Sequence, residues 1–264
     1  MRSPKPRGVA SAAASSSAGP SSNRLDEIAA SRSPPARVER LRGTELDPPL
    51  VRAVIDLTRR NMREFVGGAW SKEQKQEELC DAEMRHIAVR AGNNALLGFA
   101  AWRLQVEEGV PVGYLYELQL EEFARGMRLG SELIAEVEAA ARAERARGLM
   151  LTVHTRNAAA RRFYTQPGGA GFEVSPLSPA ECAPPFAAQA CDYEILQKLW
   201  DDDARRVLVK KGSMARKANY LDAMDNGSLR IRLVMKGGGQ RKSSKVDEEA
   251  DPMTGPRTKA PARR

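Results

Sequence analysis

Gly113-Tyr-Leu-Tyr-Glu-Leu-Gln-Leu-Glu-Glu-Phe-Ala-Arg-Gly-Met-Arg-Leu-Gly130 decides how this chain reads. Its first eight residues have the aromatic and aliphatic content of a buried strand, a short loop follows, and Leu129 begins a helix. One charged residue, Glu117, stands inside the strand, where a carboxylate is costly unless it has a partner. Gly126 and Gly130 allow the loop to present backbone N–H groups to an anion at the helix start. A strand carboxylate beside such a loop suggests a base next to a phosphorylated cofactor. The plain alternatives are an ion-paired structural carboxylate and a loop that merely enters a helix.

Working outward, Leu129, Leu133, Ile134, Val137, Ala140 and Ala141 mark one face of a helix ending near Gly148. A short apolar strand spans 149–153, a second Ala-rich helix spans 157–164 and Gln166-Pro-Gly-Gly169 closes it. Residues 172–174 and 193–199 read as two further strands. Upstream, Leu50, Val51, Val54, Ile55, Met62 and Phe65 recur at helical spacing, and Gly67-Gly68 ends the run. Ser71 with Gln74 three residues later predicts a capping box for a helix reaching about Leu79. Three strands follow at 84–91, 95–106 and 112–120, joined by turns at Gly92-Asn93-Asn94 and Glu108-Gly109-Val110-Pro111. The order α-α-β-β-β-α-β-α-β-β predicts an α/β domain with a mixed, mostly antiparallel sheet and flanking helices at 41–200.

Either side of that domain the composition changes. Residues 1–40 are rich in Ser, Ala, Pro and Arg and read as a disordered tail, a composition that organelle transit peptides share. Residues 201–264 read as a basic, mostly disordered extension, with 207–209 and 229–234 as possible short strands. The net charge of +8 divides into +4 for 1–40, −3 for 41–200 and +7 for 201–264. A mildly acidic domain favours a cationic substrate, and basic tails favour nucleic acid, anionic surfaces or nuclear import receptors. Cys80, Cys182 and Cys191 lack metal-site spacing and read as reduced intracellular thiols; with only His86 and His154 besides, no metal site is expected. No apolar run long enough for a membrane helix occurs, and a monomer is expected.

Tyr114-Leu-Tyr-Glu-Leu-Gln-Leu-Glu121, Arg125-x-x-x-x-Gly130, Leu151-Thr-Val153 with Asn157, Asp192-Tyr-Glu-Ile-Leu196 and Asp56-Leu-Thr-x-x-Asn-Met62 with Trp70 together carry a resemblance. Over about residues 45–197 the chain resembles the GNAT N-acetyltransferases, and within them the NatD-type enzymes that acetylate histone N-termini. The resemblance implies that acetyl-CoA lies along the strand, against Leu118, Gln119 and Leu120. The loop Arg125, Gly126, Met127, Arg128, Leu129, Gly130 and Ser131 would cradle its pyrophosphate, with Asn157 and Tyr164 on the cofactor side. Glu117 is implied as general base, with Tyr116 and Tyr114 beside it in the substrate channel. Trp70, Glu107, Tyr116, Thr152 and Tyr193 are implied substrate contacts.

Two departures stand out. Arg128 occupies a position where the family has glycine, and Gln105 one where it has an acid. The resemblance thus implies an acetyl-CoA-dependent N-terminal acetyltransferase acting on histones four and two-A, whose chains begin Ser-Gly-Arg-Gly. With the basic tails, it implies residence in nucleus and cytoplasm. Two alternatives stay open. One is a GNAT enzyme for another amine (lysine, polyamine or other N-termini), which the two departures keep alive. The other is a non-catalytic chromatin or nucleic-acid binder acting through the tails.

Overall fold

The computed structural model describes residues 26, 36–66, 70–184 and 191–225. Seven strands form one sheet: β1 (Ala36–Arg42), β2 (Arg85–Ala91), β3 (Leu96–Glu107), β4 (Val110–Leu120), β5 (Gly148–His154), β6 (Glu173–Val174) and β7 (Tyr193–Leu199). Their order is β1-β2-β3-β4-β5-β7-β6, and every neighbouring pair is antiparallel except β4 and β5. The helices are α1 (Pro48–Val66), α2 (Lys72–Leu79), α3 (Leu129–Ala143), α4 (Ala158–Thr165), α5 (Pro179–Cys182) and α6 (Asp202–Asp225). This is the α/β architecture that the sequence predicts, a mostly antiparallel sheet with helices on both faces.

Apolar periodicity places the layers. On one face Leu129, Leu133, Ile134 and Val137 of α3 pack with Ala100, Trp102, Leu115, Leu149 and Leu151 of the strands. On the other, Leu50, Val54, Ile55 and Leu57 of α1 cover Ala88, Phe99 and Ala101. Ala204 and Leu208 of α6 cover Val110, Val112 and Met150 farther along the sheet. The β3–β4 turn is Glu108-Gly109, both at positive φ (50° and 89°), the conformation of a tight two-residue hairpin turn. Ser71 caps α2 by accepting from the Gln74 N–H at 3.2 Å.

Two expectations need correcting. Residues 36–40, assigned to the N-terminal tail, lie in β1, paired in full register with β2. Ala-Arg-Val-Glu-Arg-Leu-Arg carries too many charges to read as a buried strand, yet charges are what a sheet edge tolerates. Residues 202–225, assigned to the C-terminal extension, form α6, so 207–209 is helix and not strand. Asp201 caps it, its Oδ1 accepting from the N–H groups of Asp203 (2.8 Å) and Ala204 (3.1 Å). Among the described side chains of this helix only Ala204, Leu208 and Gly212 are buried, so a one-in-four stripe of small and apolar residues hides among basic ones. The tail readings for 1–25 and 27–35, the Gly67-Gly68 stop and the possible strand at 229–234 lie outside the described residues.

Among the described residues no helix is long and apolar enough to cross a membrane.

Candidate active site

The site begins with a broken pairing. β4 and β5 pair only from Gly113–Leu149 to Leu115–Leu151, although β4 continues to Leu120 and β5 to His154. Across β3, Ala101 faces Glu117 but Trp102 faces Leu115, so Tyr116 is the extra residue of a β-bulge. A bulge bends its strand and re-aims side chains. Here β4 separates from β5 beyond it, and a cleft of about 1060 Å³ opens between them. Glu121 donates its N–H to Leu97 on the β3 side, while Asn61 reaches the Leu120 carbonyl from the other. By the two-residue alternation of a strand, the Leu118 main chain faces the cleft as Leu120 does.

Glu117, Leu118, Gln119 and Leu120 line the cleft, as do Tyr116, Thr152 and Tyr164. Glu117 is buried at 8% exposure and has two partners: Lys75 Nζ at 2.8 Å on Oε1 and Gln119 Nε2 at 2.8 Å on Oε2. Lys75 also donates to Glu78 at 2.6 Å. Burial opposes the charge on Lys75, but Glu117 and Glu78 outweigh it and raise its pKa above the usual lysine range. The ion-pair alternative for Glu117 is therefore present in geometry. Each carboxylate oxygen has two lone pairs, so one partner per oxygen still leaves room for an amine or a water. Tyr164 lies in the electrostatic field of Glu117; burial first, then that carboxylate, pushes its hydroxyl well above the usual tyrosine range.

The loop after β4 meets α3 in an unusual conformation. Gly126 has φ 73°, and Arg128, the residue before the helix, has φ 62°. The first helical bond of the turn is Glu132 N–H to Arg128 O at 3.1 Å, so the N–H groups of Leu129, Gly130 and Ser131 precede the ladder. A Cβ on Gly130 would sit 3.3 Å from Phe163 Cζ and 3.5 Å from Leu120 Cδ1, so glycine permits the close approach of α3 to α4 and β4. Arg125, Gly126, Arg128, Gly130 and Ser131 line the cleft; the Met127 side chain is exposed and that of Leu129 is in the core. Arg125 uses Nη2 on Asn61 Oδ1 (2.8 Å), leaving the rest of its guanidinium for an anion. Asn157 lines the cleft and also caps α4, its Oδ1 accepting from Ala160 N–H at 3.1 Å.

Strand alternation with a loop of free N–H groups and two arginines suits an elongated ligand with an anionic end, so these residues fit coenzyme A.

The implied acceptor contacts separate into two sets. Tyr116 and Thr152 line the cleft; Tyr114, Trp70, Glu107 and Tyr193 do not. Tyr114 shares a 2.6 Å hydrogen bond with Thr152 Oγ1 and packs edge-on to Tyr116. Burial is the main cause that pushes its hydroxyl up to about 12. Tyr116 donates to Gln105 Oε1 at 3.0 Å, and Arg103 lies over its ring at 4.9 Å. Gln105 in turn donates to Glu107 Oε1 at 2.5 Å, and burial raises the Glu107 pKa. Trp70 packs against the α1 layer. Burial, with Cys191 next, pushes the Tyr193 hydroxyl up to about 12.

The sequence reading gave no site role to Asn61, which it met only as part of the Asp56–Met62 motif, to Lys75 or to His154. His154 lines the cleft at the end of β5 and stacks on Phe65 of α1 at 5.9 Å. Asn61 had a signal: it follows Leu50, Val54, Leu57 and Thr58 on the inward face of α1, where an amide is unexpected. Lys75 had none, since nothing local ties it to a strand 42 residues away.

Residues 51–169 match the acetyltransferase (GNAT) family. The PaiA N-acetyltransferase of Thermoplasma acidophilum, solved with coenzyme A, is 18% identical, with 62% of this chain and 99% of that one covered and a TM-score of 0.45. An acetyltransferase of Streptococcus agalactiae is 17% identical over 62% of this chain and 98% of its own, with a TM-score of 0.49. A putative streptothricin acetyltransferase of Bacillus anthracis, solved with acetyl coenzyme A, is 18% identical over 46% and 65%, with a TM-score of 0.35.

Proposed function

We propose that this protein transfers the acetyl group of acetyl-CoA to an amine, and that the amine is the N-terminus of a Ser-Gly-Arg-Gly histone tail. The observation that carries the reading is the cleft between β4 and β5, with Glu117 at its inner end and the Arg125–Ser131 loop at its outer end. Similarity of residues 51–169 to GNAT acetyltransferases supports acetyl transfer from acetyl-CoA. The narrower acceptor rests on the NatD-like motifs around Tyr114–Glu121 and Asp192–Leu196, and on the net acidic 41–200 segment.

The chemistry needs one free amine. An α-amine has a pKa near 7.7–8.0, so about a tenth is uncharged at neutral pH, far more than for lysine. Glu117, directly or through a water, accepts a proton as the nitrogen attacks the thioester carbonyl. The Leu118 N–H is suited to the oxyanion. Collapse breaks the carbon–sulfur bond and releases a thiolate. Tyr164, in the lining of the cleft, is suited to steady the leaving sulfur by a hydrogen bond. From the original ammonium two protons leave: one ends on the thiol and one in solvent.

A second reading, an amine other than a histone terminus, is favoured by the Gln105 cluster. Trp70, Glu107 and Tyr193 lie outside the cleft lining, and Arg103 over Tyr116 adds positive charge where a peptide arginine would come. The deciding assay uses labelled acetyl-CoA with a lysine-containing peptide that begins Ser-Gly-Arg-Gly, its N-terminally blocked twin and an unrelated free N-terminus. Transfer to the free histone peptide alone, lost in Glu117→Gln, supports the first reading. Transfer to the blocked peptide means lysine chemistry and overturns it.

A further inference from the structure

A continuous hydrogen-bond chain joins the two ends of the cleft. Arg125 Nη2 donates to Asn61 Oδ1 at 2.8 Å, Asn61 Nδ2 donates to Gln119 Oε1 at 3.0 Å, and Gln119 Nε2 donates to Glu117 Oε2 at 2.8 Å. Asn61 Nδ2 also reaches Leu120 O at 3.1 Å, fixing the chain to the strand. The direction of every bond is forced. A guanidinium can only donate, and an ionised carboxylate can only accept. Asn61 must therefore turn its oxygen to Arg125 and its nitrogen to Gln119, and Gln119 must turn its nitrogen to Glu117. Reversing either amide would set donor against donor or acceptor against acceptor.

We propose that Asn61 is a positioning residue that links the anion-binding loop to the catalytic carboxylate. One half of its amide anchors Arg125, whose remaining N–H donors meet the cofactor phosphates. The other half orients Gln119, and Gln119 holds Glu117 against Lys75 for the incoming amine. Asn61 touches neither reacting atom. The inference builds on the acetyl-CoA reading given above and extends it to a residue of α1.

Gln119→Ala separates the two halves. It removes the donor to Glu117 and adds no charge, so coenzyme A affinity, measured by calorimetry on the free protein, is expected within about twofold of wild type, while kcat falls about tenfold. In Asn61→Asp an aspartate still accepts from Arg125 but can no longer donate to Gln119, which then turns its nitrogen toward Asp and its oxygen against Glu117. Its kcat at saturating acetyl-CoA is expected to fall about tenfold as well, and its negative charge beside Arg125 to weaken coenzyme A binding, most at low salt. The kcat of the double variant is expected to be no lower than that of either single one. Asn61→Ala is expected to weaken coenzyme A binding as well, since Arg125 loses its anchor. Thermal melts accompany each variant, and a role in folding alone would lower the melting point without separating affinity from kcat. Wild-type kcat in Asn61→Asp, or additive losses in the double variant, overturns the linkage while leaving acetyl transfer standing. A wild-type protein that binds no coenzyme A overturns the acetyl-CoA reading itself, and the linkage with it.

Discussion

Arg128 shows what one side chain can cost and supply. At φ 62° it occupies the left-handed region, which penalises a residue with a Cβ by roughly 1–2 kcal/mol. Arg128→Gly relieves that strain but gives back some unfolded-state entropy, so we expect a gain of about 1 kcal/mol in denaturant unfolding. The same change removes a cation from the cleft, so coenzyme A affinity is expected to fall, more steeply at low salt. A variant that is both less stable and unchanged in affinity would contradict both halves of this account. The departure was legible in the sequence because a glycine pattern was broken there; the conformation it imposes was not. Glu117 was legible on similar grounds, as a lone acid in a strand. Its partner Lys75 was not, because an ion pair between α2 and β4 leaves no trace in local spacing. Asn61 lies between these cases, since an amide at an apolar helix position is visible to anyone asking why it is there.

At the scale of elements, α1, α3, β2, β3, β4 and β7 were legible from apolar runs and periodicity, α2 from Ser71 at its cap, and β5, α4 and β6 as short segments between turn residues. The cleft itself was not, for it arises from the one-residue bulge at Tyr116, which changes no sequence pattern. β1 and α6 were missed because their buried residues are few and their exposed ones charged. The start of α6 makes this testable. Asp201 accepts from two N–H groups of the helix and pairs with both Nε and Nη2 of Arg147 at 2.7 Å. The Arg147 bonds first, then the cap, hold the Asp201 carboxyl below the usual carboxylate range. A depressed folded pKa means the stabilisation is complete above the ordinary value near 3.9 and is lost as pH falls below it. Asp201→Asn is therefore expected to lower the melting temperature at pH 7 and to lose less on going to pH 3 than wild type does. Parallel melting curves across that range would show that the pair is only decorative.

Over the whole molecule, charge and core occupy different residues, and α6 decides where to divide them. Removing 201–264 to strip the basic extension would also remove Ala204 and Leu208 from under Val110, Val112 and Met150. Truncation after Asp225 avoids this: 226–264 carries ten Lys/Arg against four Asp/Glu, +6 of the +7 beyond residue 200. Basic groups that neutralise phosphates release counterions, so affinity for DNA falls steeply as salt rises. If the extension binds nucleic acid, the full chain should show that slope and the chain ending at Asp225 should lose most of it. Acetyl transfer to a short peptide should be unchanged, because every residue lining the cleft lies between Arg60 and Gly168. If the acceptor is the proposed histone terminus, transfer to whole nucleosomes should fall in the truncated chain at low salt, through KM and not kcat, since the extension would contribute encounter and not chemistry. A truncated chain that loses peptide acetylation while keeping its melting temperature would instead mean that 226–264 reaches the site, and the division between tail and catalytic core would have to be redrawn.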